Sequence, residues 1–211
     1  MVNEIRVYVE GGGDGKETKA RLRQGFSGFL RDLVDAVRSR RIKWQIVACG
    51  SRQQTFSNFM TALETHVDAF NVLLVDAEGP VNGAPWKHLQ ERDGWNSSSI
   101  DDEHCHLMVQ KMEAWFIADL DALRQFYGQG FRDGAIPKNP NVEQIDGNAL
   151  VSTLKEATRN TSKGEYHKTW HAPKLLEQLD ASKVRRAAAH CDRLFTTLLK
   201  KMGASSGVGM P

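Results

Sequence analysis

Several features that would decide this protein's class at once are missing. No run of about 18 apolar residues is present, and the N-terminus has no basic segment followed by an apolar one. A membrane-spanning or exported chain is therefore not expected, and the expected location is the cytoplasm. Cysteine is scarce: Cys49, Cys105 and Cys191 lie far apart and are odd in number, which suits reduced thiols rather than a disulfide framework. Charge of one sign is lacking too, since 28 basic residues nearly balance 26 acidic ones for a net +2. Bulk charge does not demand a nucleic-acid partner, so one must be argued from local patches. Zinc spacing is absent: His104 and His106 flank a cysteine on a short expected strand, with no second ligand pair at the usual separation. His190 and Cys191 lack a third group to orient them as a nucleophile and base.

A glycine-rich loop opens the chain, "VEGGGDGK" from Val9 to Lys16. A P-loop would need glycine where Glu10 stands and Ser or Thr where Glu17 stands, so that reading fails at both ends. A dinucleotide fingerprint finds its first two glycines in Gly11 and Gly13 but meets Lys16 at the third position, and Glu10 and Asp14 would set negative charge beside a pyrophosphate. Attention shifts from the glycines to the acids around them.

The expected elements place those acids. "EIRVYVE" predicts a strand over Ile5–Val9, and an apolar stripe from Leu22 to Val37 predicts one long helix over Glu17–Arg40. "WQIVA" predicts a second strand, Trp44–Ala48. A helix bearing Phe56, Phe59, Met60, Leu63 and Val67 follows, and then the strand "VLLV", apolar enough to be buried on both faces. Strand, helix, strand, helix, strand in that order implies right-handed crossovers and a mainly parallel sheet with helices on both faces, an α/β Rossmann-like core. Gly79–Glu103 reads as a long polar excursion, "HCHLMVQ" as a fourth strand and "KMEAWFIADLDALRQFYG" as one helix. The organisation expected is a core over 1–128 and a helical extension over 129–202, with helices near Gly147–Thr158, Ala172–Leu179 and Lys183–Met202. A flexible tail is expected over 203–211.

In a parallel sheet the strands end at one edge, where ligands of open α/β folds gather. Glu10 ends the first strand, Asp76 and Glu78 of "VDAEG" end the third, and Asp14 lies within reach. Asp76 and Glu78, two apart in extended chain, would point to one side and share a cation. Crowded carboxylates repel unless a divalent cation neutralises them, and an all-oxygen donor set favours Mg2+ or Mn2+. Such a centre serves phosphate-ester chemistry. An acid just past a strand also serves as a helix cap or turn former. Glu113 in "MEAWF" is either a further ligand or a residue on the helix's wet side, and Arg52 either clamps a phosphate or is a surface turn arginine. "KGEYHKTWHAPK" interleaves Lys163, Lys168, His171 and Lys174 with aromatics, a pattern that suits a nucleic-acid backbone with room for base stacking, or local hydrogen bonding in the extension.

These residues carry a resemblance. "VEGGGD" followed two strands later by "VDAEG" resembles the Toprim domain of topoisomerases, primases and the overcoming-lysogenization-defect nucleases. "VYVEGGGD", "CGSR", "LLVDAEGPV", "MVQKMEAWFIAD", "KGEYHKTWHAPKLLE" and "HCDRLF" together resemble a bacterial family, the domain of unknown function number 4276, regarded as Toprim-like, from Ile5 to about Leu199. The resemblance implies a magnesium-binding Toprim core with Glu10 as general acid or base, Asp76 and Glu78 as metal ligands, Asp14 at the second acidic position and Glu113 as an added ligand. The usual Asp-x-Asp pair is Asp-Ala-Glu here. It also implies an ATPase partner and a setting in phage defence. The expected function is a metal-dependent phosphodiesterase, a nuclease on DNA or RNA, with a homodimer open. The alternatives are a non-catalytic metal- or nucleotide-binding subunit of an ATPase complex and a small-molecule phosphatase or phosphotransferase on the same edge.

Overall fold

The structure is a computed structural model that describes residues 2–96 and 100–203. Beyond Gly203 the expected tail lies outside the described residues, as does the "SSS" of the long excursion. Four strands form one sheet: β1 (Glu4–Glu10), β2 (Lys43–Gly50), β3 (Ala69–Asp76) and β4 (Cys105–Met108), all parallel, in the order β2-β1-β3-β4. Ten helices surround it among the described residues. These are α1 (Lys16–Phe29), α2 (Arg31–Ser39), α3 (Arg52–Thr65), α4 (Pro85–Asp93), α5 (Glu113–Ala118), α6 (Leu120–Tyr127), α7 (Gly147–Thr158), α8 (Lys168–Gln178), α9 (Ala181–Ala187) and α10 (Ala189–Lys201). This is the Rossmann-like α/β architecture the sequence predicts.

Both faces of the sheet are buried, as the unbroken apolar run of β3 requires. Val7, Val9, Val72 and Leu74 turn to one face and meet α1, α2 and the helices after β4. Tyr8, Leu73 and Val75 turn to the other and meet Phe59 of α3 and Trp86 and Leu89 of α4. The helices beyond residue 128 share the first core: Leu150, Leu175, Leu194 and Phe195 pack in one cluster with Val7 and Val72. Among the described residues no helix is long and apolar enough to cross a membrane.

Several expected elements are divided. The helix expected over Glu17–Arg40 breaks at Leu30 (φ −92°, ψ 21°). Leu30 stays fully buried, so the apolar period runs through the break without registering it. The end of α1 packs closely on α8, where a Cβ on Gly25 would stand 2.4 Å from the Pro173 carbonyl oxygen. Arg31 then donates from Nε to the Gly28 carbonyl (3.0 Å) and from Nη2 to that of Glu177 (2.9 Å), taking up an acceptor at the helix end. The helix expected after β4 divides at Asp119, whose carboxylate accepts from the Asp180 amide (2.9 Å) and Lys183 (2.8 Å). The one expected over Lys183–Met202 divides at extended Ala188. Val67, counted on the stripe of the third helix, lies past its end and is exposed. The long excursion contains α4, started by Pro85 at its first position and ended by left-handed Gly94. α8 begins four residues ahead of Ala172, so Pro173 sits inside a helix rather than in its first turn.

Candidate active site at the carboxyl edge of the sheet

Strand order reverses between β1 and β3, because β1 connects outward to β2 while β3 leads on to β4. Crevices at such switch points, beyond the carboxyl ends of the strands, are where open α/β sheets bind ligands. Glu10 ends β1 there and Asp76 ends β3. A register shift between Val9 and Glu10 pairs Glu10 with Gly50, and Gly11 then exchanges backbone hydrogen bonds with Gly50 (2.8 and 3.1 Å). Gly11, Gly12 and Gly13 all take left-handed φ, a sequence of turns that side chains with a Cβ resist. Thr18 Oγ1 donates to the Gly12 and Gly15 carbonyls and ties the loop to α1.

Asp76 is almost fully buried, and both of its oxygens are engaged. Oδ1 accepts from the Met112 amide (2.7 Å) and Oδ2 from Lys168 Nζ (3.1 Å). Glu113, the first residue of α5, is fully buried rather than on a wet face. Its Oε1 accepts from the Tyr166 hydroxyl (2.9 Å) and stands 3.8 Å from Lys168 Nζ, while its Oε2 is buried with no hydrogen-bond partner. Burial pushes the Glu113 carboxyl up, with Asp76 adding to the effect and Lys168 opposing it. Glu10 is also raised, first by burial and then by Asp76, against Arg52 and Lys168. Burial works against the charge on Lys168, but Asp76, Glu113 and Glu10 outweigh it and hold the ammonium firmly protonated. Lys168 thus contacts two carboxylates, from β3 and α5, and feels a third, Glu10 of β1, at longer range.

Arg52 is not open to a ligand in the way an isolated turn arginine would be. Its Nε and Nη2 meet both oxygens of Asp93 (3.0 and 2.7 Å), and Nη1 donates to Glu10 Oε2 (3.2 Å) and the Asp76 carbonyl (2.6 Å). Its guanidinium also lies 5.1 Å from the centre of the Trp95 ring. The side chain therefore fastens the end of α4 to the ends of β1 and β3. Asp93 and Met112, which help complete the site, carry no motif that marks them in advance, whereas Tyr166 lies in the basic and aromatic "KGEYHKTWHAPK" segment that the sequence singles out.

The remaining candidates spread outward. Extended chain at "VDAEG" does not persist: β3 stops at Asp76 and Glu78 is left-handed (φ 59°), with its amide donating to the Gln110 carbonyl (2.7 Å) and its carboxylate paired with Lys111 (3.2 Å). The expectation that Asp76 and Glu78 share one side of a strand is corrected accordingly. Asp14 is exposed in the loop before α1. His171 Nδ1 accepts from the Tyr127 hydroxyl (3.0 Å) and the His167 amide (3.2 Å), which makes it part of the packing of α8. Lys163 lies over the Phe126 ring (5.1 Å), and Lys174 is exposed on α8. The "HCH" histidines are structural: His104 Nδ1 meets the Asn71 carbonyl, and His106 is buried between Glu103 and Arg193. All three cysteines are buried and free.

A cleft of about 220 Å³ opens onto this edge, lined by Glu10, Gly11–Gly13, Thr18 and Lys168 among others. A family described as Domain of unknown function (DUF4276) matches residues 9–199, which runs from the end of β1 into α10 and takes in every one of these side chains. The chain belongs to this family. No curated protein and no solved structure matches it. The DUF4276 match thus takes in the sheet from the last two residues of β1 onward and the helices after residue 128 up to Leu199, and both parts supply the site: Lys168 and Tyr166 come from the later helical part, Glu10 and Asp76 from the sheet.

As the side chains stand, no group of three or more His, Cys, Asp or Glu among the described residues is arranged to hold a metal ion. Lys168 Nζ stands 3.1 Å from Asp76 and 3.8 Å from Glu113, whereas magnesium would need its oxygen ligands at about 2.0–2.1 Å. The donors themselves fit a hard divalent ion in kind: all are oxygens, and one buried oxygen of Glu113 is unpartnered.

Proposed function

We propose that this DUF4276 protein is a metal-dependent phosphodiesterase of Toprim type, a nuclease that acts on DNA or RNA in the cytoplasm, with an ATPase partner and a role in phage defence. The observation that carries the reading is the meeting of Asp76 and Glu113 at Lys168 Nζ at the β1/β3 switch point, with Glu10 at the end of β1 electrostatically coupled to both Asp76 and Lys168. These three would hold Mg2+ or Mn2+, with Asp14 and Glu78 further out at the same edge. When bound, such an ion supplies charge stabilisation for the attacking and leaving oxygens of a phosphodiester.

The chain's own groups do the rest. Glu10, raised by burial and by Asp76, holds a proton more readily than a free carboxylate, which suits a general acid or base. Arg52 holds the Glu10 carboxylate and the Asp76 carbonyl and is itself held by both oxygens of Asp93, so it orients the acid. Lys168 lines the cleft and, once released from Asp76, can donate to a phosphate oxygen. Lys163 and Lys174 lie along the same basic segment.

One observation favours a second reading. Lys168 already supplies a cation between Asp76 and Glu113, so the edge has a built-in counter-charge without a divalent ion, which suits a non-catalytic subunit of an ATPase complex. Cleavage decides between them. Purified protein incubated with plasmid, single-stranded DNA or RNA and Mg2+ or Mn2+ should cut, and Glu10→Gln should abolish cutting with its melting temperature unchanged. No cutting of any substrate, alone or with the partner ATPase, would remove the enzymatic reading.

A further inference from the structure

The first turn of α8 carries three successive side chains with different placements. Lys168 reaches into the carboxylates, Thr169 lines the cleft, and Trp170 stands outside, 49% exposed. Among the described residues Trp170 and Val67 are the large apolar side chains left in solvent, and Val67 lies beyond the far end of α3, after Thr65. An indole in water forgoes a large burial gain, so its position here calls for a cause.

α8 packs tightly on α1: a Cβ on Gly25 would stand 2.4 Å from the Pro173 carbonyl oxygen and one on Gly28 2.8 Å from the Glu177 Cα. The Arg21 guanidinium lies 5.0 Å from the ring centre, and Arg21 is itself fixed by Glu17 (2.6 Å). Beside the ring runs a groove of about 290 Å³ lined by Arg21, Gln24, Trp170, Pro173, Lys174 and Glu177. Glu177 accepts from the Gln24 amide (3.2 and 3.3 Å) and keeps its charge, so the lining carries two cations, Arg21 and Lys174, against one carboxylate. Pro173 lines both this groove and the cleft at Glu10, so the two depressions adjoin.

We propose that Trp170 is a stacking platform for an unpaired base of a single-stranded nucleic acid whose backbone passes into the Glu10 cleft, a proposal that rests on the nucleic-acid reading above and names its substrate class. A single fixed aromatic with basic neighbours suits one base and its phosphate. A protein partner would need a broader patch, about 800 Å² a side, whereas this ring is bordered by charged residues. Arg21 lies over one face of the Trp170 ring. Bases in a duplex have both faces covered by their neighbours, so only an unpaired base could stack on the other face.

The test uses the full chain with EDTA, so that no cutting occurs, and fluorescently labelled 12-mers of deoxythymidine, an abasic strand of equal length and a duplex. Trp170→Ala should weaken binding of the thymidine strand by about tenfold, Trp170→Phe should restore most of it, and neither should alter duplex or abasic binding. Trp170→Ala melting at the wild-type temperature shows that the fold is intact. Equal thymidine affinity for wild type and Trp170→Ala, an equal loss on abasic strand, no binding by wild type, or a change only in self-association would each overturn the platform. Failure of the nuclease reading is separate: a strand that binds in a Trp170-dependent way but is never cut with Mn2+ sinks the nuclease alone.

Discussion

Lys168 Nζ lies 3.1 Å from Asp76 Oδ2 although 92 residues separate the two in the chain. The pair ties the first turn of α8 to the end of β3, with one partner half exposed and the other buried. That asymmetry allows the lysine to leave while the carboxylate stays.

Lys168→Met should therefore expose what the ammonium balances. In EDTA the variant leaves Asp76 and Glu113 without their cation, and stability should fall by about 2 kcal/mol, or roughly 4–8 °C in melting temperature. Added Mn2+ should then raise the melting temperature of the variant more than that of the wild type, because no tethered competitor remains. Equal responses to Mn2+ in both proteins would show that Lys168 does not stand in the ion's place.

Arg52 is expected to behave as a partly buried structural hub. Arg52→Lys keeps the charge but cannot reproduce the two-pronged contact with Asp93 together with the bonds to Glu10 and the Asp76 carbonyl, and should cost about 2 kcal/mol. Arg52→Ala should cost about 3–5 kcal/mol, since it strands two poorly exposed carboxylates. Urea denaturation measures both, and the double variant Arg52→Ala, Asp93→Asn should lose less than the sum of the single losses.

His106 gives a pH dependence of known sign. Its Nε2–H donates to the Glu103 carbonyl (3.1 Å) and its Nδ1 accepts from Arg193 (3.3 Å), so the ring is neutral in the fold. Burial, with Arg193 adding, lowers its pKa from 6.5 to about 3. The unfolded chain then takes up a proton that the native one refuses, and the stability His106 contributes is full above pH 6.5 and is lost as pH falls toward 3. His106→Gln should be less stable than wild type at pH 7.5, with the gap narrowing steadily below 6.5. A gap constant from pH 7.5 to 4.5 would contradict the neutral, buried ring.

Much of the sheet was legible because its causes are local. The β-branched run "EIRVYVE" and the two-sided apolar "VLLV" need only strand geometry and helices on either side to explain them, and the parallel order follows from alternating elements. Helix ends were less legible. Leu30 breaks one helix while remaining in the core, and Asp119 breaks another from within an apolar stripe, so hydrophobic period carries no mark of either break. Both depend on partners far along the chain, Glu177 for the first and Asp180 with Lys183 for the second.

By itself the sequence determined the α/β class, the presence of acids at the ends of the first and third strands, and the resemblance to the family to which the chain belongs. Those follow from composition and short-range pattern. Tertiary structure alone decided which acids meet. It turned Glu78 away toward Lys111 through one left-handed residue, buried Glu113 beside Asp76, and brought Lys168 of a distant helix between them. Residue spacing along a chain fixes direction only while the backbone stays regular, and every one of these placements lies where it stops being regular.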